Sequence, residues 1–549
     1  MASEQAASPK AKGKRPHQGG PGNKGNPSKF RKKQQKAPAA EGTHEQVLLA
    51  DIQAMLASQK ISDDTPSGED AETETTTAAT EAEETLPEQG TEIEVDVVQI
   101  SSTGEGLAQQ KGSKNIYVVP FSVPGDTVRV KVYRHLRKEG YTVADFISVV
   151  TPSPLRDDSR IQCQYFTKCA GCQFQMLDYA EQLRLKRDIV VKAYRNFSQL
   201  PPELVPSVLD TMGSPLQYGY RTKLTPHFDG PPGSRGRSRG PKKPLASCPP
   251  IGFTPKTTSR VLDIEDCPIA TDAVRAGLRS ERARMETEYP AYTKGATILL
   301  RESTQRVPNP PPADFVPPPS AIAVPSADHT DYKTCITDNN ATSTEYVDNL
   351  VFTNPAGAFF QNNNSILSPF SAYIREHMLP PPSAGGKAIR TLIDAYSGSG
   401  LFTITQAALF PGGSVGIDIE PKSIAFARRN AELNGLAPSQ CKFIAADAPE
   451  LFKSVAGLDA DETVVVLDPP RRGCDASFLS QLLTFAPRRV VYVSCNVHTQ
   501  ARDVGVLVRG AEGGGARYEI ESLRGFDFFP QTGHVEGVAV LNRVDGGAV

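Results

Sequence analysis

The sequence has no apolar run long enough to cross a membrane and no apolar segment of the kind found in secretory signal peptides. No stretch approaches the roughly 18 consecutive apolar residues that a membrane helix needs. The first residues, MASEQAASPKAKGKR, are polar and basic instead of apolar. These absences predict an intracellular protein of the cytoplasm or the nucleus, with no membrane partner and no evident obligate protein partner.

The cysteines are also too few, and odd in number, for a disulfide framework. The chain has nine cysteines among 549 residues. Without a secretory signal, cysteines point first to metal binding or to catalysis.

The net charge of -2 conceals a strong asymmetry at the start of the chain. Residues 1–36 contain ten Lys or Arg and a single acid, whereas residues 61–96 contain thirteen acids and no Lys or Arg. Such segments bury too little apolar surface to fold, so residues 1–90 are predicted to be a disordered tail, first basic and then acidic. One short helix is expected within HEQVLLADIQAMLASQ (44–59). The basic arm would bind RNA, direct nuclear import or only aid solubility.

Three further regions follow the tail. Residues 91–153 show short β-like runs between Gly and Asp turns, which predicts a small RNA-binding β-barrel. Residues 154–345 form a mixed central region with a cysteine cluster, an RNA-binding role and proline-rich insertions. Residues 346–549 alternate strand and helix, which is typical of an α/β doubly wound parallel sheet, a Rossmann-like fold.

The doubly wound region has no GxGxxG loop and no GK[ST] ending, which disfavours a dinucleotide or a nucleoside triphosphate. It has instead the loop DAYSGSG, whose Gly398 and Gly400 allow backbone to approach a ligand closely. Asp418 ends the next strand, and Asp447 follows the strand after that. Glycine loop and acids together indicate an adenosine-binding site, with S-adenosylmethionine as the favoured cofactor.

The last two strands of this alternation also end in reactive groups. Asp468 is followed by two prolines and then Arg471, where an aromatic residue would be expected in an enzyme that methylates amino groups. The strand RRVVYVS then delivers Cys495 to the same sheet edge. A cysteine at that position is a candidate nucleophile.

A second group of cysteines has the spacing of a metal site. Cys163, Cys169 and Cys172 are close in sequence, and Cys267 follows much later, with Cys248 as a rival fourth ligand. Four thiolates suit either an iron-sulfur cluster or a structural zinc ion, and spacing does not decide between them.

The chain resembles the uracil-5 methyltransferase family of tRNA and ribosomal RNA from about Glu92 to Val540. The resemblance is carried, in order, by CQYFTKCAGCQFQ, YGYRTKLTP, AGAFFQNN, DAYSGSGLF, VGIDI, LDPPRRG, YVSCN and FPQTGHVEGV. It implies a TRAM-like barrel and a [4Fe-4S] site at the four cysteines. It also implies that Cys495 is the nucleophile, that Glu536 is the base, and that the cofactor contacts are Gln361, Tyr396, Asp418 and Asp468.

The resemblance further implies methylation of uridine C5 through a covalent Cys495–C6 adduct. The tail and the proline-rich insertions resemble fungal tRNA enzymes, which favours the T-loop uridine at position 54 of tRNA. Three alternatives stay open: a ribosomal RNA substrate, a cytosine-5 enzyme, and a noncatalytic RNA-binding or tRNA-folding protein. The cytosine enzymes usually have proline before the nucleophile, whereas Ser494 precedes Cys495.

Overall fold

The structure of the chain is a computed structural model. It describes residues 41–63, 86–231, 243–256, 260–381, 386–511 and 515–544. The predicted basic arm at 1–36 and most of the predicted acidic tract lie outside these residues. None of the described helices is long and apolar enough to cross a membrane.

A closed five-stranded barrel follows the acidic tract. Its strands are Glu92–Ile100 (β1), Gly106–Gln109 (β2), Ile116–Val119 (β3), Thr127–Leu136 (β4) and Tyr141–Thr151 (β5). They follow one another around the barrel in the order β1-β2-β3-β5-β4. Alternate residues of β1 and β4 point inward, so that their valines fill the barrel. The small barrel predicted from the sequence is therefore confirmed.

A helix precedes the barrel and packs on its outside. This helix, α1, spans His44–Asp63 and covers the region in which a short helix was expected. Its Leu48, Ile52 and Met55 are buried in one cluster with barrel residues such as Leu107 and Ile116. The i, i+4 and i+7 spacing of these three side chains places them on one face of the helix.

The described part of the central region contains two α-helices and several small sheets. The elements are Tyr179–Phe197 (α2), Leu209–Met212 (β6), Lys223–Leu224 (β7), His227–Phe228 (β8), Gly252–Phe253 (β9), Leu262–Asp263 (β10), Asp272–Glu288 (α3), Ala296–Thr297 (β11), Leu300–Pro308 (β12), Ile322–Pro325 (β13), His329–Ile336 (β14), Thr342–Val347 (β15) and Leu350–Pro355 (β16). One sheet has the strand order β13-β14-β12-β7, another has the order β10-β9-β8-β11, and β15 pairs with β16.

An eight-stranded sheet and its flanking helices make up most of the rest of the chain. The elements of this region are Leu367–Met378 (α4), Thr391–Ala395 (β17), Leu401–Thr405 (α5), Ser414–Asp418 (β18), Pro421–Leu433 (α6), Cys441–Ala445 (β19), Ala448–Ser454 (α7), Thr463–Leu467 (β20), Ala476–Phe485 (α8), Arg489–Ser494 (β21), Val497–Arg509 (α9), Arg517–Phe526 (β22) and Glu536–Val544 (β23). The strand order in the sheet is β19-β18-β17-β20-β21-β23-β22-β6. Strands β17 to β21 are parallel, and β23 is antiparallel to its neighbours. The predicted doubly wound α/β fold is confirmed.

Both faces of this sheet are covered, which explains its nearly continuous apolar strands. In β20, Val465 and Leu467 face one core cluster, whereas Val464 and Val466 face the other. The first cluster includes α2 residues such as Ile189, and β6 pairs in parallel with β22 at the sheet edge. The central region thus contributes a helix and a strand to the α/β layer, and the predicted domain boundaries remain predictions.

Candidate active site

The chain order of the parallel strands reverses between β17 and β20. In such sheets, ligands bind beyond the carboxyl ends of the strands at this point. Tyr396 follows β17 directly, and Asp468 follows β20 directly. The backbone N–H of Asp468 donates to the Ala395 carbonyl at 3.4 Å. The Tyr396 ring packs on Phe478, with 5.3 Å between ring centroids. Two of the predicted cofactor-binding residues therefore lie side by side at the switch point.

The loop after β17 has the backbone shape that its glycines allow. Gly398 has φ +54° and Gly400 has φ +90°, both in the left-handed region. A Cβ on Gly400 would also lie 3.0 Å from the Phe443 ring. The non-glycine Tyr396 has φ +66°, a strained value of the kind that is concentrated at functional sites.

Asp418 ties this loop to the end of β18. Its Oδ2 accepts a hydrogen bond from the Gly398 N–H at 3.0 Å, and its Oδ1 accepts one from the Glu420 N–H at 2.8 Å. The predicted glycine loop and the predicted acid are therefore in direct contact.

The other two predicted cofactor contacts lie on neighbouring segments. Asp447 is exposed, two residues beyond the end of β19. Gln361 is buried in the segment between β16 and α4, where its side chain forms no hydrogen bond with the described residues. Neither residue is linked to Asp418 by a side-chain hydrogen bond in the described part of the chain.

Asp394 is a titratable group at the switch point that the sequence interpretation left out of the site. It is fully buried, and its Oδ2 accepts hydrogen bonds from the Thr403 N–H and hydroxyl at 2.9 and 2.7 Å. Its Oδ1 has no partner among the described residues. Burial raises the pKa of Asp394 to about 7, and burial together with the Asp394 charge raises the pKa of Asp468 to about 7. An acid that ends an otherwise apolar strand was the signal in the sequence.

Cys495 and Glu536 are brought together by strand pairing. Cys495 follows the last residue of β21, and Glu536 is the first residue of β23. In the antiparallel register, Ser494 lies opposite Gly537, so the next pair across the two strands is Cys495 and Glu536. The predicted nucleophile and the predicted base are thus neighbours although 41 residues separate them in the chain.

The surroundings of Cys495 disfavour its thiolate. Burial and the nearby carboxylates of Glu536 and Asp468 raise the pKa of the Cys495 thiol to about 12. Arg471 acts in the opposite direction, through its charge and through a hydrogen bond to the thiol. Burial, followed by the Asp468 charge, raises the pKa of Glu536 well above its usual value. Arg471, placed after the paired prolines, is therefore the cation of this site.

Gln500 holds the two reactive strand ends together and was missed in the sequence. Its amide nitrogen donates to the Tyr492 carbonyl of β21 at 2.7 Å and to the Gly537 carbonyl of β23 at 3.0 Å. A Cβ on Gly537 would lie 2.6 Å from the Gln500 Oε1. A buried glutamine on a helix has no distinctive pattern, so only the fold reveals its position.

The loop that leads into β23 is fixed by α2. The buried ammonium of Lys186 donates to the Asp527 carboxylate and to the Phe529 carbonyl. The Gln182 amide nitrogen donates to the Gln531 Oε1 at 3.1 Å, and the Gln531 N–H donates back to the Gln182 Oε1 at 3.0 Å. The position of Glu536 thus depends on a helix from the central region.

A cleft of about 980 Å³ opens at Cys495. Its walls come from the residues before and in the first turn of α1, from the barrel and from the edge of the large sheet. Tyr133, Lys256 and Arg471 are among its lining residues. The volume is at the upper end of the ~300–1,000 Å³ typical of small-molecule sites. The cleft can therefore hold more than a single base.

Comparisons with known proteins identify the family of the chain. The family model described as tRNA (Uracil-5-)-methyltransferase matches residues 339–544. The tRNA (uracil(54)-C(5))-methyltransferase of Schizosaccharomyces pombe is 40% identical over 519 residues, which cover 94% of this chain and 86% of that protein. The Saccharomyces cerevisiae protein of the same name is 39% identical, over a match that covers 82% of this chain and 73% of that protein. The chain belongs to the tRNA (uracil-5-)-methyltransferase family.

A solved structure shows the same fold. It is the Pyrococcus abyssi tRNA (uracil-54, C5)-methyltransferase in complex with S-adenosyl-L-homocysteine. Its TM-score is 0.55 at 24% identity, and the match covers 82% of this chain and all of that one. The resemblance predicted from the sequence motifs is confirmed, and the chain is a methyltransferase.

The cysteines that this resemblance assigns to a cluster converge in part. Cys163, Cys169 and Cys172 precede α2, whereas Cys267 precedes α3. Burial and the proximity of Cys163 and Cys169 raise the pKa of the Cys267 thiol to about 12. Yet no group of three or more His, Cys, Asp or Glu side chains in the described part of the chain is placed to hold a metal ion. The four thiols are thus neighbours without forming a ligand set, and the predicted [4Fe-4S] centre has no support from this geometry. The rival ligand Cys248 is exposed.

Proposed function

We propose that this protein uses S-adenosylmethionine to methylate C5 of uridine 54 in the T-loop of tRNA, in the cytoplasm or the nucleus. The observation that carries the proposal is the pairing of Cys495 with Glu536 beside the switch point of the sheet. The two fungal relatives, about 40% identical, carry this activity in their names.

The proposed reaction begins at Cys495, because C5 of uracil is too weak a nucleophile to take a methyl group unaided. The Cys495 thiol, which lines the open cleft, first releases its proton to solvent, and its sulfur adds to C6, which places electron density on C5. C5 then forms a bond to the methyl carbon that S-adenosylmethionine would supply, and the bond from that carbon to the sulfonium sulfur would break, with S-adenosylhomocysteine as the leaving group. Glu536 removes the C5 proton, the C6–S bond breaks, and the 5,6 double bond returns. Arg471 stabilises the thiolate by its charge and its hydrogen bond.

The residues at the switch point fit the adenosine part of the cofactor. The glycine loop lets backbone approach a ligand, the Asp418 carboxylate lies at its edge, and the buried Asp394 Oδ1 lacks a partner among the described residues. Gln361, Tyr396, Asp418, Asp447 and Asp468, with Gly398 and Gly400, would hold the cofactor. S-adenosylmethionine supplies the methyl group on a sulfonium centre.

Glu536→Gln is the decisive test of the mechanism. The amide keeps the size of the side chain but cannot take the C5 proton, so addition and methylation should proceed while elimination stalls. We expect a denaturant-resistant protein–RNA band that carries labelled methyl. Normal turnover without such a band would exclude Glu536 as the base.

The matched control is the double variant Cys495→Ala, Glu536→Gln, which should form no band. Cys495→Ala alone should abolish methylation and leave S-adenosylmethionine binding within a few-fold, since the thiol acts on uracil. Substantial residual turnover would contradict a covalent mechanism.

Asp418→Ala tests the cofactor site separately. Loss of a half-buried acceptor for ribose hydroxyls should weaken S-adenosylmethionine binding by about 1–3 kcal/mol. Isothermal titration calorimetry measures this, and an unchanged affinity would remove Asp418 from the site.

The substrate is tested by mapping 5-methyluridine at nucleotide resolution. RNA from cells without this protein should lack the modification at position 54 of tRNA and regain it with the wild-type chain. Loss from ribosomal RNA alone would favour the alternative substrate.

The iron-sulfur cluster at Cys163, Cys169, Cys172 and Cys267 is proposed on the family resemblance alone, because the geometry of these described side chains gives no metal site. Anaerobically purified protein should contain about four iron and four sulfide per chain. Colourless protein with stoichiometric zinc, or without metal, would contradict it. No step of the proposed reaction depends on the cluster.

A further inference from the structure

The residues from Glu41 to Ser58, here named the α1 segment, comprise a turn and most of helix α1. They connect parts of the molecule that are distant in sequence. The buried Asp51 accepts hydrogen bonds from the Ser102 N–H of the barrel at 2.5 Å and from the Asn196 amide of α2 at 3.3 Å. The apolar face of α1 is buried against the barrel. The α1 segment is therefore a built part of the fold.

The turn at the start of this segment meets the catalytic edge. The Asn496 Nδ2 donates to the Gly42 carbonyl at 3.1 Å, and Asn496 directly follows Cys495. The Gln46 Oε1 accepts from the Gly42 N–H at 2.6 Å, in the manner of a capping box, which fixes the turn to the helix. The segment therefore lies within one residue of the nucleophile.

Gly42 makes this close approach feasible. It has φ +68°, and a Cβ there would lie 2.3 Å from the Thr499 Cγ2 and 2.9 Å from the Asn496 Nδ2. Both the backbone conformation and the space exclude a larger residue. The contact between the α1 segment and α9 thus depends on glycine at this position.

The same segment lines the cleft at Cys495. His44 is largely exposed there and lies 3.3 Å from Glu105, whose carboxylate also accepts from Lys256 at 2.8 Å. The exposed ring of Tyr133 lies on the barrel wall of the same cleft. Two acids that line the cleft form ion pairs, Glu105 with Lys256 and Glu41 with Arg502. Exposed rings beside compensated acids suit unstacked bases of single-stranded RNA.

We propose that the α1 segment is a wall of the RNA-binding cleft, and that His44 contacts the nucleotides next to the target uridine. This inference rests on the proposed function and adds a substrate-positioning element to it. The occupant is a single-stranded RNA loop, because the cleft continues from Cys495, where the flipped uridine must reach the thiol.

The first test compares Gly42→Ala with Gly435→Ala in the full chain. Gly435 has φ +69°, and a Cβ there would meet nothing within 4 Å, so its variant carries the same backbone strain without the clash. Filter binding with an unmodified tRNA transcript measures the Kd, and calorimetry measures the affinity for S-adenosylmethionine. We expect Gly42→Ala to weaken tRNA binding and raise the KM for tRNA, with cofactor affinity unchanged. Gly435→Ala should match the wild type.

The second test uses surface substitutions that leave folding intact. His44→Ala should weaken tRNA binding about 5- to 10-fold, the lower range for loss of one stacking contact. Gln53→Ala, an exposed position of the same helix outside this cleft, is the control and should have no effect. If Gly42→Ala fails to fold, this pair alone decides.

Unchanged tRNA binding in His44→Ala would overturn the inference. Tighter tRNA binding or faster methylation in Gly42→Ala or His44→Ala would also overturn it, because either result would mean that the α1 segment obstructs the cleft. The binding readout does not depend on catalysis. A wild-type chain that binds tRNA through His44 but transfers no methyl would refute the proposed function and leave this inference standing.

Discussion

At the scale of single residues, the site is governed by buried charge. Asp394, Asp468 and Glu536 are acids with raised pKa values, and Arg471 is the cation that acts against them at Cys495. Carboxylates that share a low-dielectric space favour their protonated forms, which is frequent at functional sites. Two residue-scale predictions follow from this balance.

The first concerns the reactivity of Cys495 in the absence of RNA. Arg471 lowers the pKa of the thiol and the Glu536 charge raises it, so Arg471→Gln should raise that pKa and Glu536→Gln should lower it. Since only the thiolate reacts, iodoacetamide should alkylate Cys495 more slowly in Arg471→Gln and faster in Glu536→Gln between pH 8 and about 10. Site-resolved mass spectrometry measures the rates, with exposed Cys248 as the internal reference. Equal rates in all three proteins would show that these charges do not control the thiol.

The second concerns Asp394 in the cofactor-free protein. Its folded pKa is raised to about 7, so between about pH 4 and 7 the folded chain keeps a proton that the unfolded chain has lost. Stability should therefore fall as the pH rises through this window, by at most about 1.4 kcal/mol per pH unit. Thermal melts of wild type and Asp394→Asn from pH 4 to 8 measure this, and the variant should show the flatter profile. Parallel profiles would contradict a raised pKa at Asp394.

At the scale of elements, activity depends on how β21 and β23 are held together. The antiparallel register sets Cys495 opposite Glu536, and Gln500 of α9 bonds to a carbonyl of each strand. Helix α9 begins at the residue after Asn496, whose side chain accepts from the His498 N–H. A small shift of α9 would therefore move both reactive groups.

Gly537→Ala tests this element. The added Cβ would lie 2.6 Å from the Gln500 Oε1 and 2.7 Å from the Val497 Cγ1, so either β23 or these α9 side chains must shift. We expect a loss of about 1–3 kcal/mol in the free energy of unfolding, as for other overpacked sites, and a lower kcat with unchanged S-adenosylmethionine affinity. Gly457→Ala is the control, because a Cβ there would meet nothing within 4 Å. A Gly537→Ala enzyme with wild-type kcat would show that this packing does not position the reactive pair.

At the scale of the whole molecule, the active site is assembled from segments far apart in the chain. Lys186 of α2 and Asp527 before β23 form a buried ion pair across 341 residues, and the Tyr179 hydroxyl donates to the same carboxylate at 3.0 Å. Removal of one partner of a buried pair leaves an unpaired charge.

Lys186→Met should therefore lower the free energy of unfolding by about 3–5 kcal/mol and reduce methylation, because the loop before Glu536 loses its anchor. Urea unfolding and single-turnover methylation measure the two effects. The double variant Lys186→Met, Asp527→Asn should recover part of the stability, since the unpaired charge is gone. If the loss in the free energy of unfolding of the double variant equals the sum of the losses in the two single variants, the charges are not coupled.

The linear sequence by itself determined much of this protein. Short β-like runs between Gly and Asp turns predicted the barrel, strand–helix alternation predicted the doubly wound sheet, and contiguous motifs predicted the family. The glycine loop and Asp418 were also predictable, because the carboxyl ends of neighbouring parallel strands meet at one sheet edge.

Only the tertiary structure decided which distant groups meet. Gln500 lies in an ordinary helical sequence, yet strand register and burial place it at the site. The hydrogen bond from Asn496, the residue after Cys495, to the Gly42 carbonyl could not be anticipated, because Gly42 lies inside the tail that was predicted to be disordered. The reason is physical: local pattern determines which face of an element is apolar, whereas long-range packing determines which polar groups those faces bring together.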